Sequence, residues 1–240
     1  MRSMTLATRN LKEVWRDPLS LGLTVGLPVV MLLVLQALKG VDEFFAPTSL
    51  TPGIALFGFV MLMFSAAMTL SKDRESALFS RLLTAPLRSN DFAAAYSLPY
   101  LLVAIVQAVV LYLIGGLFGL GIAGNWALVF LILFVMAILY VALGMIMGVL
   151  FSIKQIPFVY TAVLLLTIFG GAWMNLEAIG GAFLTFGNVF PFAHALDATR
   201  AVMIEGAGFS AITTDLYWIV GYTVGIAALA VFTFKRKMVE

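Results

Sequence analysis

The clearest pattern along this chain is a series of long windows that contain no Asp, Glu, Lys or Arg. A helix needs about 20 apolar residues to cross the hydrocarbon core of a bilayer. Windows of that length predict membrane-spanning helices, because charged side chains are costly in lipid. There are six of them, at about 18–38, 51–71, 96–118, 126–150, 156–174 and 216–234.

Two of these windows begin with a typical helix start. Asp17 precedes Pro18, and Thr51 precedes Pro52. A side-chain oxygen can cap the first free amides of a helix, and proline suits the first helical position. We therefore expect helices to begin at 18 and at about 51.

Composition supports the membrane interpretation. Of the 240 residues, 62% are hydrophobic and 11% are charged, whereas a soluble domain is about half apolar and a quarter charged. The mean hydropathy of +1.08 excludes a soluble globule and a nucleic-acid-binding module. The absence of Cys excludes disulfides and thiolate metal sites. The sequence predicts an all-α polytopic membrane protein.

The basic residues predict its orientation. If the N-terminus lies in the cytoplasm, the outer segments contain only Lys39 and Arg200 of the 14 Lys and Arg residues. This bias places both termini on the cytoplasmic side of the cell (inner) membrane. A cleaved secretion signal is the alternative for residues 1–38. Their apolar stretch is too long for a signal core and no small-x-small cleavage site follows, so we expect a retained span.

Residues 3–16 form a predicted amphipathic helix before the first span. Met4, Ala7, Leu11 and Val14 share a helical face with Trp15, and most charged residues lie elsewhere. Such a helix can lie flat at the inner headgroups. We expect Leu11, Trp15 and Arg16 to make its contacts, and a solvated leader is the alternative.

The loop at 72–95 predicts a second cytoplasmic helix. A charged start is followed by an apolar stripe, and Pro86 ends the helix. The stripe favours a docking element at 73–83 over a simple surface turn. The residues concerned are Asp73, Arg74, Glu75, Leu78, Phe79, Arg81, Leu82, Leu83 and Pro86.

Residues 175–215 are apolar but interrupted. Gly180, Gly181 and Pro191 divide them into pieces too short to cross a bilayer. They predict re-entrant or interfacial half-helices on the outer side, at about 176–206.

Catalytic chemistry is poorly supported. No Gly-Lys dipeptide occurs, which excludes a nucleotide-binding P-loop. His194 is the single histidine, and we assign it a structural role, with no catalytic or metal site. The predicted spans contain no ionisable carrier site, which suggests that a partner supplies the driving force. Unwound backbone could still coordinate an ion.

Two motifs resemble the membrane subunit of type-2 ABC exporters. The first is the stretch 73–86, with its charged start, Leu-rich middle and proline end. The second is Pro191 followed nine residues later by Arg200, ahead of the last span. The order of six spans, basic N-terminal helix, long inner loop and broken outer segment extends the likeness over nearly the whole chain.

The resemblance implies a fold and a set of partners. Residues 3–16 would be the connecting helix and 73–83 the coupling helix, both docking on a separate ABC ATPase. ATP and magnesium would bind that partner, and this chain would hold no cofactor. A second copy or a homologous permease would complete the path, and the 176–206 segment would cap it. Spans two and five would line the path, with Phe57, Phe64, Phe169 and Trp173 as candidates for an apolar or amphipathic cargo: a drug, a peptide or a lipid-like molecule.

Three other functions remain open. A secondary carrier or channel would work without ATP. An intramembrane enzyme would need paired acids or a Ser/His set at membrane depth, which the spans do not supply. A non-transporting membrane scaffold is the third.

Overall fold

A computed structural model describes residues 2–41, 43–76 and 89–238 of the protein. These residues form helices and connecting turns, with no strand among them, which confirms the all-α prediction. The helices are α1 (Arg2–Arg16), α2 (Pro18–Gly40), α3 (Pro47–Arg74), α4 (Ser89–Leu117), α5 (Trp126–Leu150), α6 (Ile156–Ala172), α7 (Leu176–Ile179), α8 (Gly181–Gly187), α9 (Pro191–Arg200) and α10 (Thr213–Met238).

Five of these described helices are long and apolar enough to cross a bilayer: α2, α3, α4, α5 and α10. Helix α6 is also apolar but has a shorter run, Ile156–Ala172. At 1.5 Å per residue it is about 26 Å long, slightly less than the ~30 Å hydrocarbon core. The described residues therefore contain five to six apolar helices of spanning length.

The predicted helix starts have different outcomes. Asp17 caps α2, since its side chain accepts hydrogen bonds from the amides of Leu19 and Ser20. The expected start at Thr51 is wrong, because α3 begins at Pro47 and Pro52 lies inside the helix. Pro47 itself occupies the first turn, where a missing amide donor costs nothing.

Helix α3 lies at the centre of the bundle. It packs against α5, α4 and α6, and 72% of its apolar window is buried, whereas 17% of the window in α2 is buried. Gly144 of α5 permits a close approach to α3, because a β-carbon there would lie 2.6 Å from the Met63 carbonyl oxygen. Small residues allow helices to pack closely in lipid, where van der Waals contact drives association.

The end of α3 differs from the prediction for 73–83. Asp73 and Arg74 form the last turn of α3 and do not begin a separate helix. Glu75 caps that end, and the chain turns at Ser76. Six residues predicted to dock lie outside the described residues: Leu78, Phe79, Arg81, Leu82, Leu83 and Pro86.

The segment 176–206 is divided into short helices at the predicted positions. Gly180 and Gly181 have positive φ angles of 64° and 60°, a backbone region that glycine adopts easily. Pro191 begins α9, which continues through the π-type turns Ala201–Glu205. The half-helices pack beside the start of α3 and the end of α6.

Candidate functional site

Two ends of the bundle carry polar side chains that join helices. We call the first the α1 end, where α1 meets Asp73 and Tyr96 and where Arg74 meets Phe151. We call the second the α9 end, where α9 meets the start of α3, the end of α6 and the start of α10.

At the α1 end, a buried carboxylate joins three helices. The side chain of Asp73 is 8% exposed. The Tyr96 hydroxyl of α4 donates a hydrogen bond to Asp73 Oδ2 at 2.8 Å. The guanidinium of Arg9, in α1, lies 3.7 Å from the same oxygen. A buried carboxylate needs such partners, because an unpaired charge in the interior is strongly destabilising.

Helix α1 packs on protein through the face that was predicted to lie in the headgroups. Ala7 and Val14 are buried, and the Asn10 amide donates to the Ala95 carbonyl at 3.2 Å. Trp15 is 51% exposed. Of the predicted contact residues, Arg16 is exposed and Leu11 is half-buried.

Arg74 fixes the end of α3 to the end of α5. Its guanidinium donates to the Val149 carbonyl, and to the Phe151 carbonyl at 3.0 Å. The Ser71 hydroxyl also donates to the Phe151 carbonyl, at 3.1 Å. These bonds satisfy carbonyls at the C-terminal end of α5 that have no partner within the helix. Glu75, the next predicted docking residue, is exposed.

At the α9 end, Arg200 joins the half-helices to the bundle. Its guanidinium donates to the carbonyls of Ser49 and Gly171, at 3.0 Å each, and lies 5.0 Å above the Phe44 ring. Burial lowers the pKa of Arg200 to about 10 while Asp197 opposes that shift, so the side chain is charged at neutral pH. Pro191 begins the helix that Arg200 ends.

His194 makes a second connection at the α9 end. Its Nδ1 lies 2.8 Å from Asp215 Oδ1, and its Nε2 lies 3.1 Å from the Asn188 carbonyl oxygen. The imidazole stacks on Trp218, with ring centres 5.0 Å apart. These contacts connect α9 to α10. Within the described ranges, no three Asp, Glu or His side chains are arranged to hold a metal ion.

The four candidate lining residues pack against aromatic neighbours. Phe57 is buried and its ring lies 5.0 Å from that of Trp173. Phe64 lies 4.8 Å from Tyr160, and Phe169 lies 6.0 Å from Phe183. The Phe64–Tyr160 pair joins α3 to α6, and the Phe57–Trp173 pair joins α3 to the residue that directly follows α6. These two helices correspond to the second and fifth predicted spans. The indole Nε1 of Trp173 is buried without a hydrogen-bond partner among the described residues.

Comparison with known families decides the class of protein. Residues 2–204 match the model of the family described as ABC-2 type transporter. The chain belongs to that family. The match runs from α1 to the π-type turns after Arg200 and does not reach α10.

Curated relatives of this ABC-2 type chain are distant and longer. ABC transporter G family member 20 of Dictyostelium discoideum is 28% identical over 194 residues, which cover 75% of this chain and 26% of the relative. The "Probable multidrug ABC transporter permease YbhR" of Escherichia coli K12 is 22% identical over 188 residues, which cover 77% and 51%. The chain thus spans about half or less of these relatives.

Sequence reasoning missed two residues at the α1 end of this ABC-2 type chain. Tyr96 lies at the edge of an apolar window, and no sequence pattern there predicts its contact with Asp73. Asn10 could have been predicted to face protein, because it is three residues after Ala7 and four before Val14 and therefore lies on the apolar face of α1. A polar residue in the middle of an apolar stripe indicates that the stripe faces protein, where the amide finds a partner, and not lipid.

Proposed function

We propose that this chain is the permease subunit of an ATP-driven ABC exporter and that a separate ATPase docks on α1 and on the segment at 77–86. The ABC-2 family match and the multidrug name of one relative support this proposal. ATP and magnesium bind to the ATPase. The α1 end faces the cytoplasm, in line with the bias of basic residues.

The observation that carries the proposal is the Asp73 contact. Asp73 lies in the last turn of α3, immediately before the docking segment, and contacts Arg9 of α1 and Tyr96 of α4. A movement of α1 or of the segment 77–86 would therefore be transmitted directly to the central helix, α3. Arg74 extends the same movement to α5 through the Val149 and Phe151 carbonyls.

Nucleotide drives transport only if it favours one packing of the helices over another, since a ligand can shift an equilibrium only by its differential affinity. Closure of two ATPases would move two permease chains, either two copies of this chain or this chain and a homologue. The spans would then tilt as rigid bodies and change access from the inner to the outer side.

We propose that the cargo is apolar or amphipathic. The aromatic pairs Phe57–Trp173 and Phe64–Tyr160 line the contact between α3 and α6. Separation of these helices would expose aromatic surfaces together with the unpartnered Trp173 Nε1 donor. Largely apolar sites with a few polar groups are typical of small-molecule pockets.

Docking is tested by replacing Leu82 and Leu83 with Asp and measuring how much ATPase co-purifies with the tagged chain. Loss of a central apolar contact costs about 2 kcal/mol or more, roughly a thirtyfold weaker association. The matched control replaces Ile179 and Val189 with Asp, since both are about half exposed at the α9 end.

We expect the Leu82/Leu83 variant to lose most of the ATPase while the control retains it, with normal membrane insertion of both. Equal retention of ATPase by the two variants would contradict docking on residues 77–86.

A further inference from the structure

A wide polar groove lies at the α1 end, between α1, the start of α2 and the end of α3. Its volume is about 1110 Å³. The lining residues are Thr8, Arg9, Lys12, Glu13, Arg16, Asp17, Pro18 and Lys72.

The groove has an excess of positive charge. Arg9 is bonded to Glu13 at 3.2 Å and lies near Asp73, and the Asp17 carboxylate caps α2. The remaining three cations are Lys12, Arg16 and Lys72, which are all exposed. Within the described part of the chain, none of the three forms an ion pair. A ligand that enters the groove therefore meets three cations that are not paired with a carboxylate, and the only unpaired carboxylate among the described lining residues is that of Asp17.

The depth of the groove matches the level of the lipid headgroups. Pro18 begins the apolar helix α2, and Lys72 lies two residues before the end of the apolar helix α3. The groove is thus located where two long helices leave the hydrocarbon core. The Trp15 side chain is exposed in the same region, and tryptophan is enriched at membrane interfaces.

Exposed leucines follow the groove-lining Pro18 along α2. Leu19 and Leu23, one helical turn apart on α2, are 72% and 41% exposed. Residues four apart lie on one helical face. The site therefore offers cations at headgroup level and leucines below them, an arrangement that fits a molecule with an anionic head and an apolar tail. An acidic protein segment would use only the cations.

We propose that this groove binds the headgroup phosphate of an anionic phospholipid, with its acyl chains along Leu19 and Leu23. Basic pockets between membrane helices on the cytoplasmic side bind anionic headgroups in this way. The bound lipid would neutralise the groove and hold α1 beside α2 and α3. The lipid site goes beyond the proposed transport function. Only its assignment to the inner leaflet rests on that function, because the proposed function places the α1 end at the cytoplasmic side.

The experiment is native mass spectrometry of the purified 240-residue chain in micelles that contain equal amounts of phosphatidylglycerol and phosphatidylcholine. The test variant carries Lys12→Gln, Arg16→Gln and Lys72→Gln. The control variant carries Lys154→Gln, Arg236→Gln and Lys237→Gln, which removes three exposed cations at the same end of the bundle but outside the groove.

We expect the wild-type chain and the control to retain phosphatidylglycerol in preference to phosphatidylcholine. Each basic residue near an anionic lipid contributes roughly fivefold in affinity, so the groove variant should lose at least tenfold of the preference. Equal loss in both variants would overturn the site.

Two further results would also contradict the proposal. The first is a wild-type chain with no preference for phosphatidylglycerol, a measurement that does not depend on whether a variant folds. The second is a groove variant that keeps its lipid but loses the co-purifying ATPase, which would make the groove a protein-docking surface. Loss of lipid preference with normal ATPase association supports the lipid site and leaves the proposed function intact.

Discussion

The two ends of the bundle hold their outlying helices in different ways. At the α1 end, the Asp73 carboxylate bonds to side chains, Arg9 and Tyr96. At the α9 end, the Arg200 guanidinium bonds to the main-chain carbonyls of Ser49 and Gly171. Side chains can change rotamer, whereas main-chain carbonyls move only with their helices. Each end also has a contact of the other kind, Asn10 with the Ala95 carbonyl at the α1 end and His194 with Asp215 at the α9 end. The contrast therefore concerns the two buried charges: the contacts of Asp73 can adjust, whereas those of Arg200 fix the positions of two helices.

The strongest test of that difference is at Gly53, where α3 meets the end of α6. A β-carbon at this position would overlap the Ala172 carbonyl. We expect Gly53→Ala to destabilise the protein by ~3 kcal/mol, because overpacking against backbone cannot be relieved by a rotamer change. Thermal unfolding in detergent measures the effect.

Gly221→Ala is the matched control for Gly53, since nothing lies within 4 Å of a β-carbon at Gly221. That substitution should be neutral or slightly stabilising, because Ala is the better helix former. Equal melting temperatures for the two variants would refute the close backbone contact at the α9 end.

Arg200→Met should have the next largest effect. It removes hydrogen bonds from a charged donor to two carbonyls, and each such bond contributes about 1.5–3 kcal/mol. The variant no longer has to bury a charge, which offsets part of that loss. We expect a net loss of ~2 kcal/mol, measured by the same unfolding assay. Lys39→Met removes the other basic residue that the sequence assigns to the outer side, which is exposed, and should change stability little. A similar small change for Arg200→Met would mean that Arg200 does not hold the α9 end together.

Prediction from sequence succeeded where local rules decide the structure. Bilayer thickness sets the length of apolar windows, and the side chain of Asp17 can cap only the helix that follows it. The Thr51-Pro52 signal misled because Pro47, five residues earlier, already begins the helix. The Thr51 hydroxyl donates to the Pro47 carbonyl and does not cap a new helix. The contact between Asp73 and Tyr96 was not predictable, because their two helices are separated by a loop and meet only through packing.

Asp73→Ala should release α1 with a smaller loss of overall stability. The substitution leaves Arg9 and Tyr96 without their shared partner, and an unsatisfied buried group costs about 1–3 kcal/mol. We expect hydrogen exchange of the α1 amides to accelerate on the order of tenfold. Glu75→Ala, which removes an exposed carboxylate two residues later, should leave that exchange unchanged. Unchanged exchange in the Asp73 variant would show that the Asp73 contact does not hold α1 in place.

His194→Phe should have the smallest effect. Phenylalanine keeps the stacking on Trp218 and loses the contacts with Asp215 and Asn188. A loss of about 1 kcal/mol is expected, the usual contribution of a partly buried hydrogen bond. Asp215→Asn keeps a polar partner for the imidazole and should cost less. If His194→Phe destabilised the protein more than Arg200→Met, the ranking of contacts at the α9 end would be incorrect.

We propose that this chain moves cargo only when an ATPase drives its α1 end. The most direct test is cargo flux into sealed vesicles that contain the chain with or without its co-purifying ATPase, in the presence and absence of ATP. We expect flux only with the ATPase and hydrolysable ATP present together, and reduced flux when Asp73 is replaced by Ala. Equal flux from the chain alone would contradict this proposal and identify a carrier or channel that needs no ATP.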